Sequence, residues 1–442
     1  MNIYAHRSTS TGVFTDTDGT TLTYTSRIKK EDFQKYKDCG FNVLYPQENP
    51  YSGETWSSSW MKIYMDLAAE VGLKCIVADK RIVNLSASTT SLIGTGDGQY
   101  ESIEALAEEL RDYMEPYYEH SAFYGVVTKD EPDYNMLPAL GQVIQALKLI
   151  DSDMYIKVCL LPYSGGVSNE RYTGEAGTAT FDSYQTYVNQ YLTCSGQSNF
   201  GYDHYPYTSS GTFLGQYLRT LQNNVVKASA GNADVELVVQ SFAMQDSKRL
   251  PDLTELYFQN NAALAFGVKN IGYFSYWRCS TSSSETHLGG ILNYNGSSMI
   301  YDEVQEVLNY TRKMASVVLN FDYVKAQVLQ PSADTDTSWC ANVTSASSLD
   351  NMTVSNVTQR TIVTQMYDSV AERNGYMVVN AYDTINTGSQ TSGVTNSVTL
   401  TFAGYDKITY YSASGVKTKD LTNGQITLSL AEGQAAFVIP HN

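Results

Sequence analysis

Along the first two thirds of the chain, short apolar runs alternate with stretches whose apolar residues recur every three or four positions. The runs lie at 3–7, 42–47, 74–80, 123–130, 154–161, 200–206, 236–242 and 271–277 and are close to continuous in aliphatic and aromatic residues. Such runs read as strands buried on both faces. Between them, one helical stretch carries Ile103, Leu106, Leu110 and Met114 on a single face. Another carries Leu140, Val143, Ile144 and Leu147, and a third spans 302–318. Strand and helix in alternation predict a parallel sheet covered by helices. Eight such units predict a (β/α)8 barrel rather than an open doubly wound sheet. No glycine-rich GxGxxG turn follows the first strand, so the fingerprint of a dinucleotide fold is absent.

From about residue 323 the period changes from helical to two. Segments at 324–329, 361–367, 376–382, 397–402, 407–412, 425–430 and 435–440 alternate apolar and polar residues and are separated by turn residues. They predict an antiparallel β-sandwich, interrupted by a long Ser/Thr/Asn-rich insertion at 331–359. The expected organisation is a barrel over 1–320 and a sandwich over 321–442.

Composition supports this division and narrows the partners. A chain of 442 residues with 42% apolar content can fill two cores. The formal charge of −17 argues against nucleic acid or an anionic membrane surface. No segment approaches the ~20 apolar residues needed to cross a bilayer. The 35 tyrosines, with many Ser, Thr and Asn and few Lys and Arg, suit a secreted or cell-surface bacterial protein. Residues 1–7 carry no signal-peptide run, which a processed chain would also lack. Six scattered cysteines form no CxxC, so neither a disulfide framework nor a metal or cofactor is expected. Cys75 and Cys159, inside apolar runs, read as buried thiols.

In a (β/α)8 barrel every strand ends at one mouth. The tips here read His6-Arg7, Gln47-Glu48, Asp79-Lys80, Asp130-Glu131, Asp203-His204-Tyr205, Gln240 and Tyr276-Trp277-Arg278. Any single polar tip is what a wet loop produces. Carboxylates, aromatics and an amide converging together are what a polar ligand requires. The sharpest tip is Asp130-Glu131-Pro132. Adjacent carboxyls at the end of a buried strand are costly unless used or paired. Asp133 is a natural helix cap, whereas the longer Glu131 is a poor one. A general acid/base is the functional reading of Glu131, with the Asp130 charge and partial burial raising a pKa. Glycoside cleavage needs such a group beside a second one that stabilises or attacks the anomeric carbon.

The run Gly201-Tyr202-Asp203-His204-Tyr205-Pro206-Tyr207 crowds rings and a carboxylate at one tip. Asp203 and Tyr205 are expected in the mouth, and Tyr202 and Tyr207 under a loop. Trp277 reads either as the floor of a sugar subsite or as a core indole. Glu285 and His287 beyond it are expected to be exposed contacts. Trp56 and Trp60 form an outer platform or pack a helix. GxSxG, HExxH and Walker motifs are absent, which removes serine esterases, zinc proteases and P-loop enzymes.

Together these residues resemble bacterial glycoside hydrolases with a clan-A-like barrel. Those enzymes place the acid/base glutamate at the end of strand four, where Glu131 falls. Asp203-His204-Tyr205-Pro206 is similar to their His-Tyr region on strand six, and Tyr276-Trp277 to their strand-eight tryptophan. The segments 375–380 and 433–438 look like the β-sandwich that follows many such barrels. The resemblance implies a carbohydrate substrate, for which Glu48, His204, Tyr205, Gln240, Tyr276, Trp277 and Arg278 at the strand tips are the candidate contacts. It departs at strand seven, where the family carries a nucleophilic glutamate and this chain carries Gln240. Three readings stay open. Asp130 and Glu131 could run substrate-assisted cleavage of a 2-acetamido sugar, with Tyr205 or Tyr276 holding the acetamido oxygen. Asp203 or Glu48 could partner Glu131. The barrel could be a non-catalytic, degenerate sugar-binding or surface protein.

Overall fold

Eight described strands form one parallel sheet: β1 (Ile3–His6), β2 (Val43–Leu44), β3 (Lys74–Ala78), β4 (Phe123–Asp130), β5 (Tyr155–Leu160), β6 (Asn199–Asp203), β7 (Asp234–Gln240) and β8 (Asn270–Phe274). The hydrogen-bonded ladder runs in chain order from β2 to β8 and on to β1, which comes back against β2. The sheet is therefore curled into a (β/α)8 barrel, at the positions the apolar runs predict. This computed structural model describes residues 3–6, 13–15, 21–23, 29–46, 50–164, 166–196, 199–211, 213, 215–231, 233–279, 286–293, 296–381 and 395–442.

The strands are apolar throughout because both faces are covered. All six residues of β5 are buried, as are the last six of β7. The covering helices are α1 (Lys30–Asp38), α2 (Trp60–Val71), α3 (Lys80–Ser86), α4 (Ile103–Met114), α5 (Leu137–Ile150), α6 (Asn169–Thr173), α7 (Phe181–Ser195), α8 (Gln216–Ala230), α9 (Leu253–Ala265) and α10 (Tyr301–Val318). Their apolar stripes face inward: Leu106, Leu110 and Met114 of α4, and Leu140, Val143, Ile144 and Leu147 of α5, are buried. Local chemistry fixes their ends. Asp252 and Glu255 form a reciprocal capping box on α9, and Gly72 closes α2 in the left-handed region.

Beyond α10 the chain builds two antiparallel sheets from β9 (Asp322–Leu329), β10 (Met352–Ser355), β11 (Thr361–Asp368), β12 (Arg373–Asn380), β13 (Asn396–Phe402), β14 (Lys407–Ser412), β15 (Gly415–Asp420), β16 (Gln425–Leu430) and β17 (Ala435–His441). The larger sheet has the order β9-β11-β12-β17-β14-β15, and the smaller β10-β13-β16. Val363, Tyr376, Val378, Val398, Leu400, Phe402 and Val438 fill the space between them. The alternate residues of β12 and β17, among them Met377, Val379 and Phe437, point the other way and join the barrel's core. Hydrogen bonds tie the same seam: Asn261 donates to the Gly433 carbonyl at 2.8 Å and Tyr310 to the Ala435 carbonyl at 2.9 Å. Gly433, with φ +67°, leaves no room for a side chain, since a Cβ would lie 2.1 Å from the Thr254 carbonyl oxygen. The sandwich thus has an interior of its own and also packs one face against the barrel's core.

Two features differ from the sequence pattern. β15 reads Gly-Val-Lys-Thr-Lys-Asp and shows no alternation, because all six residues are exposed at the edge of the sheet. The polar stretch 331–359 is no mere insertion. It contains β10, whose Met352 anchors the smaller sheet.

Candidate active site

The strand order and the inward alternation of side chains stack the barrel interior in layers. Along β5 and β7, Lys157 and Glu236 form a buried ion pair, which the Tyr155 hydroxyl joins by donating to Glu236. Gly201 of β6 lies against the pair. A Cβ there would meet Glu236 Oε1 at 2.8 Å and Lys157 Nζ at 3.0 Å, so only glycine leaves the charges their space. One inward position nearer the mouth come Cys159, Asp203 and Val238. This layer is the floor of an open cavity of about 460 Å³, walled by Tyr45, Asp130, Glu131, Arg171, His204, Tyr205, Phe242, Lys248, Phe274 and His287 among others. That volume lies within the range of small-ligand pockets, about 300–1,000 Å³.

The Asp130-Glu131 tip is held by its neighbours. The β4–β5 register slips between Val127 and Lys129, so one extra residue re-aims the strand end. Buried Thr128, at the slip, donates to the Lys157 carbonyl at 3.0 Å. Glu131 sits at φ +42°, a left-handed conformation that costs a non-glycine residue on the order of 1 kcal/mol. Three bonds hold it there. Its N–H donates to the Cys159 carbonyl at 2.7 Å, its carbonyl accepts from Arg171 Nη2 at 2.9 Å, and the next carbonyl, of Pro132, accepts from the Tyr187 hydroxyl at 2.6 Å. Arg171 also places Nη1 3.6 Å from Glu131 Oε2 and Nε 2.5 Å from Asp133 Oδ1. The Glu131 carboxylate, 41% exposed, thus faces a cation on one side and the cavity on the other.

Asp203 has the opposite surroundings. It is buried at the floor, with Cys159 Sγ 3.9 Å from its Oδ1. Burial first, then the charges of Glu131 and Asp130, push its carboxyl up to about 8, against the pull of a Tyr205 hydrogen bond and a backbone N–H. Burial and the neighbouring carboxyls thus bias Asp203 toward its protonated form. The linkage has a definite sign. A carboxyl whose folded pKa lies above its unfolded value, about 3.9, favours the fold below that value and loses this contribution as the pH rises through the folded one. Asp203→Asn is expected to be more stable than the parent at pH 9, the difference shrinking toward pH 4. Thermal midpoints of both proteins at pH 5 and 9 test this, and an Asn variant less stable at pH 9 than at pH 5, relative to the parent, contradicts it.

The remaining wall is aromatic. Tyr205, Phe242 and Phe274 pack edge-on or tilted with centroids 4.8 to 5.9 Å apart, and His287 closes the group at 5.9 Å from Phe242. Such faces offer C–H-rich surfaces a stacking platform.

Of the residues expected from sequence, Asp130, Glu131, Asp203, His204 and Tyr205 share this cavity. Gln240, Tyr276, Trp277 and Arg278 are not among its walls. Gln240 is fully buried, and its amide spans the Tyr207 and Arg249 carbonyls at 2.9 and 2.8 Å while accepting from the Tyr207 N–H. It fastens the loops after β6 and β7 together. Tyr276 and Trp277 are core residues, since β8 ends at Phe274 and the chain then turns outward. Tyr276 packs on Tyr36 and Phe41, and Trp277 on Tyr276. Arg278 donates to the His287 carbonyl at 2.9 Å. His287 is buried on the cavity wall rather than exposed. Trp56 packs on Tyr51 and Tyr117, as a packing role requires. Asp79 is consumed by Arg81 and the Tyr117 hydroxyl. Glu48 and Glu285 lie outside the described residues.

Sequence reasoning missed Lys157, Glu236, Arg171 and Lys248. A signal existed for the first two: each is a lone charge of opposite sign in the middle of an apolar strand. Among the described residues, no group of three His, Cys, Asp or Glu side chains is gathered as a metal ion would need. No helix among them is long and apolar enough to cross a membrane.

No protein-family model matches the chain, and no curated protein matches it. Solved structures do. An α-amylase from Anoxybacillus is 10% identical with a TM-score of 0.51, over 100% of this chain and 98% of that one. A structure described as a glycoside hydrolase is 11% identical with a TM-score of 0.50, over 99% and 97% of the two chains. A β-galactosidase from the psychrophilic Marinomonas ef1 is 11% identical with a TM-score of 0.46 over 72% of this chain, which spans 60% of its length. At these identities the first two establish a shared fold. That fold, a (β/α)8 barrel, is one that both of these glycoside hydrolase structures have.

Proposed function

We propose that the protein is a glycoside hydrolase whose reacting carboxyls are Asp203 and Glu131, with Asp130 as the third charge of the site. The observation that carries the reading is the contrast between the two groups in one cavity. Asp203 is buried and its carboxyl is pushed up by burial and by the neighbouring carboxyls, whereas Glu131 faces Arg171 and is half open to water. Pairs of titratable groups pushed apart by their surroundings mark acid and base roles. The proton for the leaving oxygen accordingly comes from Asp203. Glu131, beside the Arg171 cation, is the second carboxyl, either attacking the anomeric carbon or activating water. This reverses the role that the strand-four position alone gives Glu131.

Asp130 raises Asp203 and sits at the rim, which fits an auxiliary electrostatic role. Tyr205 orients the Asp203 carboxyl and offers its face to a sugar ring. Cys159 is no nucleophile here, because burial and the carboxylate beside it push its thiol well above the usual range. A glycan substrate also suits a composition rich in Tyr, Ser and Thr and poor in Lys and Arg. The test is hydrolysis of a panel of aryl glycosides and oligosaccharides by the parent and by Glu131→Gln. The variant is expected to fold and to lose about 10²–10⁴ in kcat. Undiminished turnover would remove Glu131 from the chemistry.

A further inference from the structure

Among the described residues, Lys157, Arg171 and Lys248 bring three cations to the mouth, and the first two are held in ion pairs. Lys157 is paired with Glu236, and Arg171 with Glu131 and Asp133. Lys248, half-buried in the cavity wall, donates a hydrogen bond to the uncharged Tyr205 carbonyl; among the described residues no carboxylate lies within ion-pair distance of it, the nearest charge it feels being Asp203 on the floor. Its neighbour in sequence, Arg249, takes the Glu255 carboxylate. His204 beside it is neutral, its pKa brought down to about 3 by burial and by the Lys248 charge. Withdrawing a cation from water without a partner is costly. A protein keeps such a group where something else supplies the missing charge.

The position of Lys248 is built rather than incidental. Met244 and Lys248 exchange backbone hydrogen bonds at 2.9 and 3.0 Å, closing a tight turn after β7. Gln245 donates to the Thr286 carbonyl at 2.9 Å, and Ala243–Met244 pairs with His287–Gly289 from the loop after β8. Gln240 clamps Arg249 to the loop after β6. Three loops thus converge to point one ammonium group into the cavity. The acidic and basic walls of the mouth also stand apart, with Arg171 already paired on the acidic side and Asp203 on the floor between them. Asp130 and Glu131 stand at β4, and Lys248 stands three strands further round, after β7. An anion would be repelled at the first wall and attracted at the second.

We propose that Lys248 forms a subsite for an anionic substituent of the sugar, a carboxylate or a sulfate, so that the substrates are acidic glycans. The inference rests on the glycosidase reading for its sugar but not for its charge. A charge-assisted hydrogen bond to a desolvated ammonium is worth about 10- to 100-fold in affinity. The experiment is calorimetric binding to the full chain at pH 6.5 of methyl glucuronide and methyl galacturonide, of glucose 6-sulfate, and of the matching neutral methyl glycosides. The same ligands are titrated into Lys248→Met and Lys248→Arg, and hydrolysis of matched acidic and neutral aryl glycosides is measured in parallel. The expected result is binding of uronate or sulfate about 10- to 100-fold tighter than the neutral sugar, lost in Lys248→Met and kept in Lys248→Arg. Which anion is preferred separates uronic from sulfated glycans. Equal binding of charged and neutral sugars, no sugar binding at all, or a preference that survives in Lys248→Met overturns the proposal. Hydrolysis of neutral glycosides without that preference would overturn it and leave the glycosidase reading standing. Preferential binding without hydrolysis of any glycoside would do the reverse.

Discussion

Asp203→Asn is expected to lower kcat on any glycoside the protein cleaves by about 10²–10⁴-fold, the span of a lost general acid. The loss should be smaller for substrates with good leaving groups, such as dinitrophenyl glycosides, which need no proton. The pH profile adds an independent reading. With the carboxyl raised to about 8 by burial and by the Glu131 and Asp130 charges, kcat/KM of the parent should hold through neutrality and fall as the pH passes about 8. Neutralising Asp130 by Asp130→Asn removes one of the two raising charges, so the alkaline limb should move to lower pH. Steady-state kinetics from pH 4 to 10 checks both statements. An alkaline limb that stays in place in Asp130→Asn would separate Asp203 from that titration.

Lys157→Met is expected to be the most destabilising single change in the barrel interior. Lys157 and Glu236 are 2% and 1% exposed, and removing one member of a buried ion pair costs about 3–5 kcal/mol because the other charge is left unpaired. The double variant Lys157→Met with Glu236→Gln should recover much of that loss, since Gln is uncharged and can still accept from Tyr155. Urea unfolding of the parent, both singles and the double gives the coupling directly. Additive losses would mean that the two groups do not depend on each other. The pair also carries the floor on which Asp203 and Cys159 stand, so the single variant should lose activity along with stability.

The barrel strands were legible because each is buried on both faces, and a closed parallel sheet writes that as continuous apolar runs. β15 was not, because an edge strand wet on both faces has no apolar pattern to write. At the mouth, β4 and β6 were readable from their tips, where Glu131 and Asp203 end their strands in carboxyls. The tips of β7 and β8 misled for a geometric reason. A residue at a strand end can point into the mouth, across to a loop, or back into the helical layer. Gln240 takes the second course and Tyr276 the third. Lys157 and Glu236 are 79 positions apart, so neither residue alone announces the pair. Arg171 and Lys248 lie beyond strand ends, on segments that only the folded chain brings to the cavity. The direction of proton bias was likewise out of reach of the sequence, since it depends on Arg171 facing Glu131 while Asp203 lies buried on the cavity floor.

The most direct test of the central claim is the release of reducing ends from a panel of neutral and acidic oligosaccharides by the parent, Asp203→Asn and Glu131→Gln, with folding checked by circular dichroism. The account predicts release by the parent on at least one glycan class and a loss of about 100-fold or more in each folded variant. Release that is equal in all three proteins, or absent from the parent on every glycan that it binds, would contradict it.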